Sequence, residues 1–332
     1  MNLKDKVILV TGADGFIGSH LVEELLDLGC KVKAFVYYNS FNSWGWLDLS
    51  NKKNSPNLCV VSGDIRDQKM LISVAEGCDF IFHLAALISI PYSYTAVESY
   101  LDTNVYGTFN ILEAAKFHNI KRVIITSTSE VYGTAIKVPI SESHPRQAQS
   151  PYSASKIAAD ALAFSFFTSY NLPVTVVRPF NTYGPRQSAR AIIPTIITQI
   201  LLGERSIKLG DLTPTRDLVY VKDTVLGFIE VLKTDTLIGQ ECNISTNVEY
   251  SIFDVFAEIS NQLNVSLEII NDPLRHRPKK SEVFRLLGDN KKILQSTSWK
   301  PRYSLSEGIR ETIDWFKVDD NLRRYKGHIY NL

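Results

Sequence analysis

The sequence predicts an α/β fold, namely a doubly wound parallel sheet of the Rossmann type joined to a smaller α/β substrate-binding lobe. Two observations predict it. Short apolar strands alternate with helical stretches through about residue 180. The first strand is followed by a glycine-rich turn and then by an amphipathic helix, which is the setting of a dinucleotide site.

Composition sets the broad class. The chain has 332 residues, of which 45% are hydrophobic and 21% charged, and its net charge is +1. Such a weak net charge favours neither nucleic acid nor a membrane surface as a partner. The four cysteines and six histidines are scattered, so we expect reduced thiols, no metal site and a cytoplasmic protein. We see no apolar run long enough to span a membrane, and no signal peptide before the first strand.

The first predicted strand, residues 6–10, leads into the glycine turn. Gly12 permits a tight turn, and Gly15 lets the backbone approach a pyrophosphate at the start of the next helix. Gly18 allows that helix to pack closely on the strand. The expected cofactor contacts of the turn are Gly12, Gly15, Phe16, Ile17 and Gly18.

The second strand, residues 32–36, ends without the acidic residue that would select NAD. Tyr38, a further expected cofactor contact, follows it, and neither a carboxylate nor an arginine is nearby. The choice between NAD and NADP therefore stays open, with NAD slightly preferred. The aromatic loop of residues 41–48 has three interpretations: it covers the cofactor, forms a subunit contact, or packs locally.

The third and fourth strands, residues 58–61 and 80–84, also end in candidate cofactor residues. Asp64, followed by Ile65, can accept a hydrogen bond from the adenine amino group, or it can cap the next helix. Small residues after the fourth strand leave room for a cofactor in the crevice. The candidates at that end are Leu84, Ala85 and Ala86.

A helix is predicted over residues 98–118. Asn104 lies inside it, and asparagine has a low helix propensity. This residue therefore indicates close packing or a ligand contact.

The stretch from 125 to 156 carries the chemistry. A strand over residues 122–126 is followed by Ser127 and Thr128, and a helix opened by Ser150-Pro151 places Tyr152 and Lys156 on one face. An ammonium beside a phenol lowers the phenol pKa from about 10, so that Tyr152 can accept a proton from a sugar hydroxyl. The alternative is an ordinary surface pair, because Tyr-x-x-x-Lys alone is a weak signal.

The helix after Tyr152 is apolar on more than one side, which fits either a subunit interface or a helix buried between layers. A sixth strand over residues 174–177 completes the alternating pattern. We predict a dinucleotide-binding domain over residues 1–180, to which 215–240 return. The sugar-nucleotide-binding lobe is predicted over 181–214 and 241–332.

Basic residues of the second lobe suggest a phosphate clamp. Arg216 and the loop of residues 271–280 supply guanidinium groups, whose planar fork suits phosphate. A solvated basic loop is the alternative interpretation.

Together these motifs resemble the extended short-chain dehydrogenase/reductase family over nearly the whole chain. The matching motifs are Thr11-Gly-x-x-Gly-x-x-Gly18, Gly63-Asp64, His83-Leu-Ala-Ala86, Asn104-x-x-Gly107-Thr108, Tyr152-x-x-x-Lys156, Arg178-Pro-x-Asn181-x-Tyr183-Gly-Pro185 and Arg216-Asp217. The resemblance implies a nucleotide-sugar substrate, a cytoplasmic homodimer and a tightly bound NAD or NADP that is regenerated in each cycle. It implies further cofactor contacts from Asn104, Ser127, Tyr152, Lys156 and Pro179. The implied substrate contacts are Ser89, Thr128, Asn181, Arg186, Arg216 and Arg277.

Within that family, Thr128-Ser129-Glu130 looks like the 4,6-dehydratases and is similar to the GDP-mannose 4,6-dehydratases. The loop of residues 38–48 resembles dehydratases of legionaminic-acid-type pathways, which implies a nucleotide-linked N-acetylglucosamine. Epimerases of the family generally lack the glutamate. The implied product is a 4-keto-6-deoxy sugar nucleotide, from which the enzyme has removed one water.

In the implied reaction, Thr128 holds the sugar 4-hydroxyl, Tyr152 takes its proton, and Glu130 removes the C5 hydrogen. Lys156 anchors the nicotinamide ribose. Ser129 stands where relatives have an aspartate that donates a proton to the departing hydroxide, and serine is a poor acid. Either Glu130 does both jobs or water helps through Ser129. Two rivals stay open: a sugar-nucleotide C4 epimerase and a non-catalytic NAD(P)-sensing module.

Overall fold

The computed structural model describes residues 1–276, 278, 280–327, 329 and 331. In chain order the strands are β1 Val7–Thr11, β2 Lys31–Tyr37, β3 Leu58–Gly63, β4 Phe80–His83, β5 Arg122–Thr126, β6 Val174–Pro179, β7 Asn181–Tyr183, β8 Ser206–Leu209, β9 Thr215–Tyr220, β10 Glu241–Ile244, β11 Glu249–Ser251, β12 Glu268–Asn271 and β13 Arg285–Leu286. The helices are α1 Phe16–Asp27, α2 Gln68–Ala75, α3 Ile90–Ser93, α4 Val97–Tyr100, α5 Gly107–Phe117, α6 Pro151–Tyr170, α7 Ile192–Leu201, α8 Val221–Lys233, α9 Ile252–Leu263, α10 Lys291–Ser296, α11 Leu305–Phe316 and α12 Asp319–Leu322.

The main sheet confirms the predicted fold class. Within the described residues, seven strands lie in the order β10-β6-β5-β4-β1-β2-β3, and every pairing is parallel. The order reverses between β1 and β4, which is where open α/β sheets bind ligands beyond the carboxyl ends of their strands. This switch point positions the glycine turn beside the end of β4.

Helices cover both faces of this sheet. Helices α1 and α8 pack together on one face, and α2, α5 and α6 pack on the other. Each face buries its own apolar cluster. The strands between the two layers are buried on both sides, which explains why their sequences are continuously apolar rather than alternating.

The predicted helix over residues 98–118 forms with an irregularity in it. It consists of α4, a π-helical turn over Leu101–Tyr106, and α5. The π turn contains Asn104, the residue whose low propensity drew attention in the sequence. Single π turns inside α-helices are common at functional sites.

The smaller lobe is built around β9. Among the described residues, β9 pairs with β7, β11 and β13, and β8 pairs with β12 in a separate ribbon. Helices α7, α9 and α11 pack with these strands. The lobe lies over the carboxyl ends of the main strands because β7 follows directly after β6.

The predicted domain boundary is wrong in two places. Strand β10 was assigned to the smaller lobe, but it pairs with β6 as an edge strand of the main sheet. Strand β9 was assigned to the dinucleotide-binding domain, but it lies in the smaller sheet. A short apolar strand does not reveal its partner, because pairing is decided by distant parts of the chain. Helix α8, which follows β9 in the predicted range 215–240, does pack on the main sheet.

Among the described residues, no helix combines the length and the apolar character that crossing a membrane requires.

Candidate active site

One cavity of about 920 Å³ lies between the carboxyl ends of the main strands and the smaller lobe. It collects most residues that the sequence analysis singled out for cofactor, substrate or chemistry. Those lining it are Gly12, Gly15, Phe16, Ile17, Gly18, Asp64, Ile65, Leu84, Ala85, Ala86, Ser89, Ser127, Thr128, Ser129, Glu130, Tyr152, Lys156, Pro179, Asn181 and Arg216.

The glycine turn fits a dinucleotide for steric reasons. Gly12 has a φ of +66°, and a Cβ on it would lie 2.8 Å from the backbone nitrogen of Ala85. A Cβ on Gly18 would lie 2.1 Å from the Gly12 carbonyl oxygen. Gly15 is the N-cap of α1 and offers no side-chain cap, so the first N–H groups of this helix stay available for an anion. The turn therefore has the form that a pyrophosphate requires.

Asp64 at the end of β3 is already engaged. Its carboxylate accepts hydrogen bonds of 2.9 Å and 2.6 Å from the Arg66 guanidinium. The Arg66 hydrogen bond holds the pKa of Asp64 below its usual range. Asp64 does not cap α2, because Asp67 does so by accepting from the Met70 N–H.

Helix α6 places the two central side chains. Ser150 caps the helix by accepting from the Ser153 N–H, and Pro151 occupies its first turn, as the sequence predicted. Tyr152 and Lys156 are buried on the same face. The Tyr152 ring packs edge-on against Tyr100 at 6.2 Å between centroids.

The predicted direction of the Tyr152 pKa is wrong. Burial raises the pKa of the phenol above its usual range, the Thr128 hydroxyl offsets part of that shift, and the Glu130 carboxylate adds to it. The Lys156 ammonium donates to the Thr126 carbonyl at 2.5 Å. The effect of burial is larger than that of the Thr128 hydrogen bond, so the phenol of Tyr152 stays protonated at neutral pH in the protein alone.

Lys156 is tuned by two opposing influences. Burial lowers its pKa to about 8, and the Asp160 carboxylate one turn later opposes that shift. Asp160 accepts hydrogen bonds from Ser127 Oγ at 3.0 Å and from Arg178 Nη2 at 2.9 Å. The buried pair of Asp160 and Arg178 is a feature that the sequence analysis missed. A carboxylate four residues after a lysine in an apolar helix was the available signal.

The end of β5 presents the second group of side chains. Thr128 accepts a hydrogen bond of 3.2 Å from the Glu130 N–H and so caps a short turn over Ser129–Tyr132. Gly133 ends this turn with a φ of +62°. The turn directs Glu130 into the cavity, where its carboxylate is close enough to Tyr152 to influence the phenol pKa. Ser129 also lines the cavity but is almost fully buried.

The far end of the cavity carries arginines, as predicted, and they have protein partners. Arg216 Nη2 donates to Glu282 Oε1 at 3.2 Å, and Arg190 and Arg275 also line the cavity. This end can bind phosphate groups by virtue of its guanidinium groups. The candidate Arg277 lies outside the described residues.

Three candidates do not reach the cavity lining in the described part of the chain. Tyr38 is 67% exposed, because the chain turns outward after Tyr37. Asn104 is buried and exchanges hydrogen bonds with the backbone of Leu87, so it positions the loop after β4. Arg186 makes a two-pronged ion pair with Glu23 on α1.

The aromatic loop after β2 is a packing element. Trp46 packs against Trp315 of α11 and stacks on Tyr325, with ring centroids 5.6 Å and 6.0 Å apart. Phe41 is 89% exposed. These contacts support the interpretation of the loop as a packing element, with partners that are distant in the sequence.

Fold and site together define a dinucleotide-binding α/β protein with a Tyr-x-x-x-Lys pair, and comparisons with known proteins agree. The sequence model described as GDP-mannose 4,6 dehydratase matches residues 9–312. A human dTDP-D-glucose 4,6-dehydratase is 29% identical, over 97% of this chain and 92% of the relative.

Two solved structures extend this. The dTDP-glucose 4,6-dehydratase DesIV from Streptomyces venezuelae, a double mutant with NAD and DAU bound, has a TM-score of 0.86 at 29% identity and covers 94% of this chain and 97% of its own. The UDP-N-acetylglucosamine 4-epimerase from Methanobrevibacter ruminantium M1, in complex with UDP-N-acetylmuramic acid, has a TM-score of 0.85 at 33% identity. That comparison covers 95% of this chain and 99% of the epimerase.

The chain therefore belongs to the GDP-mannose 4,6 dehydratase family. This confirms the resemblance to the sugar-nucleotide enzymes among the extended short-chain dehydrogenase/reductases. It also identifies the protein as an enzyme, which removes support from the alternative of a non-catalytic sensing module.

Proposed function

We propose that the enzyme removes water between C5 and C6 of a nucleotide-activated hexose and yields a 4-keto-6-deoxy sugar nucleotide. The observation that carries the proposal is the meeting of Tyr152, Thr128 and Glu130 in one cavity with the glycine turn. Oxidation followed by elimination requires two bases: one that accepts the proton of the alcohol, here Tyr152, and one that removes the C5 hydrogen, here the Glu130 carboxylate.

The cofactor is proposed to be NAD, tightly bound and regenerated in each cycle. The glycine turn fits its pyrophosphate, and a solved relative contains NAD. When bound, NAD⁺ supplies a positively charged hydride acceptor, which would also favour the ionised form of a neighbouring phenol.

The chain's own residues then divide the work. Thr128 orients the sugar 4-hydroxyl, and Tyr152 accepts its proton. The Lys156 ammonium stays close by, held between the Thr126 carbonyl and the field of Asp160. Because Tyr152 is buried with a raised pKa, this proton transfer depends on positive charge in the cavity.

Glu130 performs the elimination. A 4-ketone acidifies the hydrogen on C5, and the Glu130 carboxylate removes it as hydroxide leaves C6. Serine at position 129 is a poor acid, so Glu130 is proposed also to return the proton that converts the departing hydroxide to water. The C5–C6 double bond left behind would then accept at C6 the hydride that was removed from C4, and a proton at C5. This last step would give the 4-keto-6-deoxy product and restore the oxidised cofactor.

The sugar is proposed to be an N-acetylglucosamine. Leu87 and Ile90 pack around Tyr152 in one apolar cluster, which offers a methyl group a surface that bare hydroxyls would not favour. A structural relative is named as acting on UDP-N-acetylglucosamine. Ser89 already caps α3 through its hydroxyl, so its substrate contact would be made while it accepts from Tyr92 N–H.

The second candidate is C4 epimerisation, which the solved epimerase favours. An epimerase would use Thr128 and Tyr152 but would not need Glu130 as a base. The two reactions differ in mass, because only dehydration removes a water molecule.

Glu130→Gln tests the proposal directly. We expect dehydration to fall by about 10²-fold or more, the contribution of a positioned general base, while oxidation at C4 survives. Formation of the 4-keto sugar is followed by cofactor absorbance, and water loss by product mass. Glu98→Gln is the matched control, because Glu98 is an exposed glutamate of α4 that does not line the cavity. Full dehydration by the Glu130 variant would remove this residue from the role.

A homodimer is proposed through the helices around the π turn. Apolar side chains on this surface are exposed although they are large. They are Val97, Leu101, Tyr106, Phe117 and Tyr170. Exposed apolar patches of this kind mark association surfaces, and light scattering of the purified protein would report the mass.

A further inference from the structure

The loop from residue 184 to 191, called the substrate loop below, joins β7 to α7 in the smaller lobe. It lines the cavity with Gln187, Ser188, Arg190 and Ala191. It is nevertheless also held against the half of the protein that carries the glycine turn, directly through α1 and indirectly through Tyr325 and Trp46. Two separate sets of contacts hold it there.

The first set joins the substrate loop to helix α1. The two Arg186 Nη atoms donate to the two Glu23 carboxylate oxygens at 3.0 Å and 2.8 Å, and Nη1 also lies 3.1 Å from Ser19 Oγ. Such forked ion pairs are both directional and stronger than neutral hydrogen bonds. Arg186 has a φ of +70°, a left-handed conformation that arginine rarely adopts. The surroundings therefore hold the loop in a conformation that it would not take alone.

The second set joins the substrate loop to the glycine turn itself. Tyr325 Oη donates to the Gln187 carbonyl at 2.8 Å, and the buried Tyr325 ring stacks on Trp46. The backbone N–H of Trp46 in turn donates to the Asp14 carbonyl at 3.0 Å. Asp14 stands between Gly12 and Gly15, so a continuous chain of contacts runs from the cofactor turn to the substrate loop.

We propose that Glu23, Arg186, Trp46 and Tyr325 are positioning residues that fix the substrate loop against the cofactor half. None of these four residues belongs to the described lining of the cavity. By holding the loop in place they reduce the ordering cost of nucleotide-sugar binding. The proposal assumes the nucleotide-sugar substrate of the proposed function, and it assigns Arg186 to the protein scaffold rather than to the substrate.

Kinetics of Glu23→Gln test the first contact set. We expect KM for the nucleotide sugar to rise about fivefold, the lower end of typical coupling between sites, with kcat unchanged. Glu24→Gln is the matched control, since Glu24 lies on the same helix and shows no side-chain hydrogen bond in the described part of the chain. A rise in KM for Arg186→Lys without any rise for Glu23→Gln would mean that Arg186 binds substrate directly, which overturns the proposal.

Limited trypsin digestion of the full-length protein, as purified, supplies a readout that needs no turnover. Arg190 is exposed within the substrate loop, and cleavage after it is followed by mass spectrometry. We expect Glu23→Gln and Tyr325→Phe each to accelerate this cleavage severalfold, while Glu24→Gln does not. Tyr170→Phe is the control for Tyr325, because it removes the hydroxyl of an exposed tyrosine. Cleavage at the wild-type rate in both Glu23→Gln and Tyr325→Phe would overturn the proposal, whether or not the protein dehydrates a sugar.

Discussion

The glycine turn and the arginine-bearing end of the cavity lie in the same site, but they are built in different ways. The turn is encoded mainly within a few residues, because Gly12 and Gly18 approach each other closely, although Gly12 also packs against the segment that follows β4. The arginines of the second lobe depend on distant partners: Arg216, which lines the cavity, pairs with Glu282 across 66 positions, and Arg186, which lies outside the lining, pairs with Glu23 across 163. Local steric requirements can be predicted from residues that are adjacent in the sequence, whereas ion pairs between distant segments cannot.

Helix α6 depends on both neighbouring and distant residues, because Ser150 caps it locally and Asp160 pairs with Arg178. The substitution Tyr152→Phe on this helix is expected to have the largest effect on activity. Removing the phenolic oxygen should lower kcat by about 10³-fold, within the usual range for acid–base groups, because Tyr152 is the proposed acceptor of the sugar proton. Steady-state kinetics measure the loss. Bound NAD and the unfolding temperature should stay at wild-type values, and a kcat above a tenth of wild type would exclude Tyr152 as the proton acceptor.

Arg216 tests whether the arginine-bearing end of the cavity binds the phosphates of the substrate. Arg216→Met should raise KM for the nucleotide sugar by about tenfold or more, since a charged hydrogen bond to phosphate is lost, and should leave kcat nearly unchanged. Titration with the free nucleoside diphosphate gives the same comparison without chemistry. Glu282→Gln is the companion variant, because it alters the arginine's ion pair while keeping the guanidinium. Unchanged affinity in Arg216→Met would remove this residue from the phosphate site.

The smallest expected effect concerns Asp160, and it appears in the pH profile. The pKa of Lys156 is about 8, so its charge is lost as pH rises through that value. Asp160 opposes the lowering by burial, and Asp160→Asn should therefore move the alkaline limb of kcat/KM to lower pH, by about one unit.

The sign for stability follows from the same shift. Because the folded state holds the Lys156 proton less tightly than the unfolded chain does, the charged lysine destabilises the fold below pH 8, and this cost fades as pH rises from about 8 towards the ordinary lysine pKa of 10.5. Asp160→Asn also disturbs Arg178, so the profiles are recorded well below the unfolding temperature, with Glu98→Gln as control. An unmoved alkaline limb would show that Asp160 does not tune Lys156.

Much of the site could be predicted from the sequence where the residues that determine a local structure lie in the same short segment as that structure. Ser150 and Pro151 open α6 as expected, and the small residues after β4 face the cavity. The lobe predicted for β10 is wrong, and the ion pair between Arg186 and Glu23 is not predicted, because both depend on segments far away in the chain. The Tyr152 pKa was assigned the wrong direction because its burial, which dominates, cannot be seen from the spacing to Lys156.

The central claim is tested most directly by the mass of the product. The protein as purified, with no cofactor added, is incubated with UDP-, GDP-, dTDP- and CDP-linked hexoses and N-acetylhexosamines, and each reaction is analysed by mass spectrometry. Our account predicts that at least one of these compounds loses one water molecule over many turnovers while the bound NAD is unchanged. A product of unchanged mass with an inverted C4, or a requirement for one added NAD per turnover, would contradict it.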